Sequence, residues 1–459
     1  MKRRTDAATR SSRRGFLGSA ASLVAAATSG LGAHAAASAA EATAPAAAEM
    51  ARTTPIEPFW GEHQGGIVTM AQSHSYFAAF DLVSTRRDDV VKLLQAWTAA
   101  AARMATGETA QPLEDALKPV LVSGDSAQQQ KGDDDSYEAP DSEAAADSGE
   151  ALGLPAARLT VTFGLGAGLF VKDGKDRYGL ASRRPEALVD MPKFVGDQLV
   201  DAHTGGDLSV QACADDPQVA FHAVRQLARL ASGLAQTRWA QVGFIPAFGS
   251  KETPRNLMGF KDGTSNPAVA DPQAMAKFVW VSDEGPDWMR GGSYVVARRI
   301  RIALEHWDRM KVAFQEQTVG RRKYSGAPLG MNKEFEALDL DATDKDGNPV
   351  IAENAHVRLA AAASNDGAQI LRRPYAYNDG VNFTAERWPP WRQGIEYDAG
   401  LFFLAYQRDP RTGFIKIFDR MSKFDMLNQF VTHVGGGLFA CPPGAAKGEF
   451  IGQRLFETT

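Results

Sequence analysis

The order of periodic segments constrains this chain more than any other feature. Tyr76, Ala78, Phe80 and Leu82 alternate as a strand does. A helix follows from about Arg86 to Met104, with Val90, Leu93, Leu94, Trp97, Ala101 and Met104 at helical spacing and Gly107 as a stop. Leu159, Val161 and Phe163 alternate again, as do Leu208, Val210 and Ala212. Pro217 to Leu234 reads as a helix and Arg238 to Phe244 as a closing strand. The second half repeats the order more loosely. Tyr294–Ile302 is a strand, and His306–Thr318 a helix with Trp307, Met310 and Phe314 on one face. Gln369–Arg372 and Leu401–Tyr406 are strands, Lys423–Val431 is helical, and Leu438–Cys441 is a final short strand.

Strand-helix-strand-strand-helix-strand is the ferredoxin-like order. Two passes of it predict an α+β protein of two ferredoxin-like domains with antiparallel sheets. The break falls at the Pro-Ala-Phe-Gly-Ser turn, giving an N-terminal domain over 55–245 and a C-terminal domain over 246–459.

Residues 1–40 read as a targeting segment. Lys2, Arg3, Arg4, Arg10, Arg13 and Arg14 form a basic start, and a mild apolar run follows from Phe16 to about Ala33. Gly18, Ser19, Ser22, Thr28, Ser29 and Gly30 interrupt that run, so it makes a poor membrane span. Ser12-Arg13-Arg14-Gly15-Phe16-Leu17 matches the twin-arginine export signal closely, and Ala33-His34-Ala35 and Ala37-Ser38-Ala39 are cleavage candidates. The expectation is an exported, periplasmic protein that carries a prosthetic group across already folded.

The whole chain carries a formal charge of −5. The leader's six basic residues against Asp6 give it +5, which leaves −10 beyond it. Much of that excess lies in Asp125–Glu150, where nine carboxylates face Lys131 alone, and the insertion at about 123–150 reads as a solvated loop. No basic patch suggests nucleic acid. The two cysteines, Cys213 and Cys441, sit in apolar strand-like contexts and read as buried free thiols, although an exported setting would permit a disulfide. Neither belongs to a Cys-x-x-Cys-His motif for covalent haem attachment.

Three short segments carry the chemistry. Gly259-Phe260-Lys261-Asp262-Gly263-Thr264-Ser265-Asn266-Pro267 places a carboxylate on a glycine-rich turn. Glu353-Asn354-Ala355-His356-Val357-Arg358 holds a histidine, and Ile370-Leu371-Arg372-Arg373 holds a guanidinium. A histidine can ligate haem iron, while a carboxylate and an arginine can act on peroxide. Taken singly, each has an ordinary alternative: a surface turn, one of the chain's eight histidines, a salt-bridging strand residue.

Together these segments resemble the dye-decolorising peroxidases, whose Gly-x-x-Asp-Gly signature matches Gly259–Gly263. With the export signal, the chain is most similar to the periplasmic deferrochelatase/peroxidase subgroup associated with ferrous-iron uptake. The resemblance also takes in His63-Gln64-Gly65-Gly66-Ile67, Gly400-Leu401-Phe402-Phe403 and the Gly435-Gly436-Gly437 turn. It implies one non-covalent haem b per chain, held in the second domain. His356 would be the iron ligand, with Asp398 or Asp409 accepting from its other ring nitrogen. Asp262 would move a proton between the two peroxide oxygens. Arg372 would stabilise the charge that develops as they separate, and would also contact haem. Gly263, Thr264 and Ser265 would line the haem. Relatives often carry Asn-Pro-Arg where this chain has Arg358-Leu359-Ala360-Ala361-Ala362-Ala363, so the propionate contacts on that side stay open. The implied partners are hydrogen peroxide and a bulky aromatic reductant, or haem itself for iron release, and components of a ferrous-iron uptake system. A homodimer is compatible with the sequence, as is a carrier that binds haem or iron without turnover.

Overall fold

The computed structural model describes residues 55–113, 145–246, 252–385 and 393–457. The leader, most of the acidic insertion and the segment 386–392 lie outside the described residues. β1 (His74–Leu82) leads into α1 (Arg87–Met104), then β2 (Thr160–Gly166) and β3 (Leu208–Ala214). α2 (Pro217–Leu230) and β4 (Ala235–Phe244) complete the first half. The strands pair in the order β2-β3-β1-β4, all antiparallel.

Both helices obey their sequence signals. α1 has Asp88 and Asp89 in its first turn and Arg103 in its last, matching the helix dipole, and buries Val90, Leu93, Leu94, Trp97, Ala101 and Met104. α2 begins with Pro217 behind Asp216, whose carboxylate accepts from the amides of Gln218 at 2.7 Å and Val219 at 3.1 Å.

The second half contains β5 (Ser293–Ile302), α3 (Leu304–Trp307), α4 (Val312–Val319), α5 (His356–Ala360) and β6 (Leu371–Arg372). β7 (Tyr375–Ala385), β8 (Gln393–Gln407), α6 (Phe414–Phe424) and β9 (Val431–Cys441) follow. Its strands run β9-β5-β8-β7, again antiparallel, with β6 pairing β8. Short ladders join the two sets, Leu165 to Ala440 between β2 and β9 and Phe244 to Ala376 between β4 and β7. The nine strands form one antiparallel α+β sheet system. Phe77, Trp239, Tyr375, Tyr377, Phe402, Tyr406 and Phe439, from both strand sets, share one buried cluster.

The second half departs from its sequence reading in four places. The expected helix over His306–Thr318 is two short helices separated at Asp308–Lys311. The helix near the end is Phe414–Phe424, earlier than Lys423–Val431, because Phe414, Ile417, Phe418 and Met421 form its buried stripe. β7 was not anticipated. Gly435-Gly436-Gly437 is not a turn but lies within β9, where it pairs Ala297–Arg299. Gly436 has φ +139, and a Cβ there would come within 2.0 Å of the Ala297 carbonyl oxygen, so only glycine lets β5 approach.

Two further expectations are settled. Cys213 and Cys441 are both free and buried. The described end of the acidic insertion is docked rather than solvated. Asp147 is buried and accepts from the Ala110 amide at 3.0 Å, and His222 lies between Asp147 and Glu150. Among the described residues no helix is long and apolar enough to cross a membrane.

Candidate active site

Arg372 is fixed by strand geometry. β6 pairs β8 at Leu371–Tyr406 and Arg372–Ala405, which turns Arg372 and Arg373 to opposite sides. Arg373 is buried, donating to the Thr69 carbonyl and the Gln72 side chain. Arg372 is the one that borders a cavity.

The Gly259–Asn266 turn meets Arg372 there. Gly259 at φ +85 and Gly263 at φ +122 adopt conformations that favour glycine, and the Asp262 amide donates to the Pro254 carbonyl at 2.8 Å. Arg372 Nη1 then donates to Asp262 Oδ1 at 2.8 Å. Asn266 locks the two segments together. Its Nδ2 donates to the Arg372 carbonyl at 2.7 Å, and its Oδ1 accepts from the Arg372 amide at 3.1 Å. Glu334 anchors the other side of the turn, accepting from Lys261 Nζ at 2.6 Å and Thr264 Oγ1 at 3.0 Å. Burial raises the Glu334 pKa, but these donors outweigh it and hold the carboxyl below its ordinary range.

His356 opens α5 and borders the same cavity. Its Nδ1 donates to Asp425 Oδ2 at 2.7 Å, which leaves Nε2 as the ring's free ligating atom. Asp425 is buried at 6% exposure and also accepts from the Leu427 amide at 2.8 Å. Burial lowers the His356 pKa, but the Asp425 charge and hydrogen bond reverse this and leave it above the ordinary 6.5. The expected acceptors are therefore corrected. Asp398 pairs with Arg299 at 2.8 Å, and Asp409 is held by Arg411 at 2.8 Å. Neither contacts His356.

The cavity measures about 440 Å³, within the range of small-molecule and cofactor sites. Ile300, Ile302, Leu401, Phe403, Phe418 and Met421 supply apolar walls, and Gly263, Thr264 and Ser265 also line it. Four contributors escaped the sequence reading: Asp425, Asn266, Arg321 and His433. Arg321 is buried on the cavity wall, where its guanidinium donates to the carbonyls of Gly326 and Glu334. Burial lowers its pKa. Arg358 points elsewhere, bonding the Ile351 and Leu340 carbonyls.

This donor set fits haem: an apolar slot, a histidine with a free Nε2, an acid–base pair, and a buried cation, Arg321, on the wall. Comparison with known proteins agrees. Residues 64–245 match the N-terminal model of the Dyp-type peroxidases and residues 253–446 the C-terminal one. A dye-decolorizing peroxidase from Thermobifida fusca (strain YX) is 41% identical over 320 residues, 68% of this chain and 70% of that protein. A deferrochelatase from Escherichia coli (strain K12) is 34% identical over 408 residues, 87% of each. The crystal structure of a DyP-type peroxidase from Streptomyces coelicolor superposes with TM-score 0.74 at 37% identity, covering 88% of this chain and 98% of that one. The chain belongs to the Dyp-type peroxidase family and is a haem-dependent oxidoreductase.

Proposed function

We propose that this chain is an exported peroxidase that uses hydrogen peroxide to oxidise bulky aromatic reductants. The observation that carries the reading is the pairing of Arg372 with Asp262 at 2.8 Å on the cavity that His356 also borders. His356 would hold the haem iron through Nε2, with Asp425 fixing the ring's tautomer and orientation. Haem supplies, when bound, the redox-active iron at which peroxide is reduced. Asp262 takes a proton from one peroxide oxygen and returns it to the other, and the neighbouring guanidinium keeps its carboxylate aimed. Arg372 offers a permanent positive charge to the oxygen that leaves. Asn266 holds the Arg372 backbone against the Asp262 turn, which keeps the two groups in register. Peroxide-dependent bleaching of an anthraquinone dye by the holoprotein tests the reading. Haem-loaded protein that leaves the dye untouched would sink it.

A second reading is release of iron from haem with the porphyrin left intact. It is favoured by the relatives named deferrochelatase, which align with 87% of this chain. Iron-free protoporphyrin accumulating from added haem would move it ahead. We further read each half as a ferredoxin-like unit, 55–245 and 246–459. Supporting this are the strand orders β2-β3-β1-β4 and β9-β5-β8-β7, and a cavity lined wholly by residues of the second half. Export through the twin-arginine route, work beside a ferrous-iron uptake system and assembly as a homodimer belong to the same proposal.

A further inference from the structure

His433 borders the cavity away from the groups assigned so far. It sits on β9 opposite Ile300 of β5, is only 8% exposed, and tilts against Phe418 at 4.5 Å between ring centroids. Its Nδ1 is sealed from solvent without a hydrogen-bond partner, and among the described residues neither ring nitrogen has one. Beside it lies Arg298, 2% exposed, with its guanidinium carbon 5.8 Å from the centre of the same Phe418 ring. Arg298 Nη1 reaches Asp197 Oδ2 at 3.3 Å, yet Arg298 Nη2 and Asp197 Oδ1 are buried with no partner. Three orphaned polar atoms in one cluster at the edge of an otherwise apolar stretch of wall are uncommon, because buried polar groups are normally bonded.

Burial and the Arg298 charge both hold His433 well below its ordinary 6.5, so the ring is neutral. A neutral imidazole beside a guanidinium keeps its lone pair toward the cation and its N–H on the far side. With Nδ1 sealed, the nitrogen left to meet the cavity is Nε2, as a donor. The side chains beside it, Phe418 against the ring and Ile300 opposite on β5, have nothing to accept that proton. A ligand acceptor is the missing partner, and the cation behind the ring favours a negatively charged one.

We propose that His433, backed by Arg298, forms a carboxylate subsite that takes one propionate of the bound haem and so sets which way round the cofactor sits. This rests on the haem reading above and deepens it. The site is distinct from His356, and its role is to hold and orient.

The test titrates full-length, haem-free protein with haem and with haem dimethyl ester, following the Soret band. For haem, His433→Phe keeps a ring but removes the donor and should weaken binding about tenfold or more, the range for a hydrogen bond to a charged group. His433→Gln restores an N–H and should recover most of that loss. For the ester, wild type and His433→Phe should bind alike. Equal loss of haem and ester in His433→Phe, or no loss of haem, would overturn the subsite. Wild type can be read without any variant, and should bind haem at least tenfold more tightly than its ester. Equal affinity there would also overturn it. Wild type that takes up neither ligand would bring down the haem reading itself, and the subsite with it.

Discussion

Asp425→Asn is the most informative single change, because it alters one charge and almost no shape. In the wild type, His356 Nδ1 donates to a buried carboxylate at 2.7 Å. A hydrogen bond to a charged acceptor is worth about 1.5–3 kcal/mol and a neutral one about 0.5–1.5. The difference, on the order of 1.4 kcal/mol, corresponds to up to about 59 mV for a one-electron couple. With His356 on the iron, Asp425 would push electron density into the ring and stabilise ferric over ferrous iron, so the asparagine variant should have a higher midpoint potential. Asparagine caps helices as well as aspartate does, so the Leu427 amide keeps its acceptor and melting should change little. The haem-free protein gives an independent readout. Its His356 pKa lies above the ordinary 6.5, so the pair's stabilisation is full below that value and fades as pH rises through the raised one. Asp425→Asn should abolish this fading. Spectroelectrochemical titration of the holoprotein and melting of the apoprotein across pH measure both effects. A potential that is unchanged or lower in Asp425→Asn would show that Asp425 does not tune the iron through His356.

Three other outcomes are expected, two from the site's geometry and one from the leader's sequence. Asp262→Asn should slow the spectral response of the holoprotein to peroxide by about 10²–10⁴-fold, and Arg372→Leu by about 10²–10³-fold, with haem content kept. Stopped-flow mixing decides this, and two variants as fast as wild type would favour a carrier. Asn266→Ala removes both side-chain bonds to the Arg372 backbone, and should slow the same reaction by roughly tenfold, short of the loss in Arg372→Leu. A response at the wild-type rate would show that the strand alone positions Arg372. Replacing Arg13 and Arg14 together by lysine should leave precursor in the cytoplasm, and mature protein still found in the periplasmic fraction would contradict the export route.

The residues legible in the sequence were those inside short local motifs. Asp262, His356 and Arg372 could be named because glycine spacing and neighbouring residues mark them, and the cavity gathers all three. Asp425 could not be found this way. It lies 69 residues beyond His356, and its position depends on where α6 stops and the following short turn begins. Reading that helix as Lys423–Val431 placed Asp425 inside a helix, where a carboxylate looks like a solvated surface residue. Asn266 lies within the motif, but beside Pro267 it reads as half of an Asn-Pro turn, since its partner is the backbone of a distant strand. The first half was read more faithfully because its strands alternate and α1 and α2 have long apolar stripes. In the second half, α3 and α4 are each too short to show a helical period. Of β9 only the end, Leu438–Cys441, was legible, because three glycines interrupt its apolar pattern, Gly436 of them where β5 comes closest.

His356 is the residue proposed to hold the haem iron, and every role assigned around the cavity depends on it. The direct test is the visible spectrum and iron content of His356→Ala purified beside wild type. The expected result is a folded protein with little or no Soret absorbance, because no other histidine was placed by the motif and His433 is turned to a different task. Iron content and a Soret band matching wild type would contradict it.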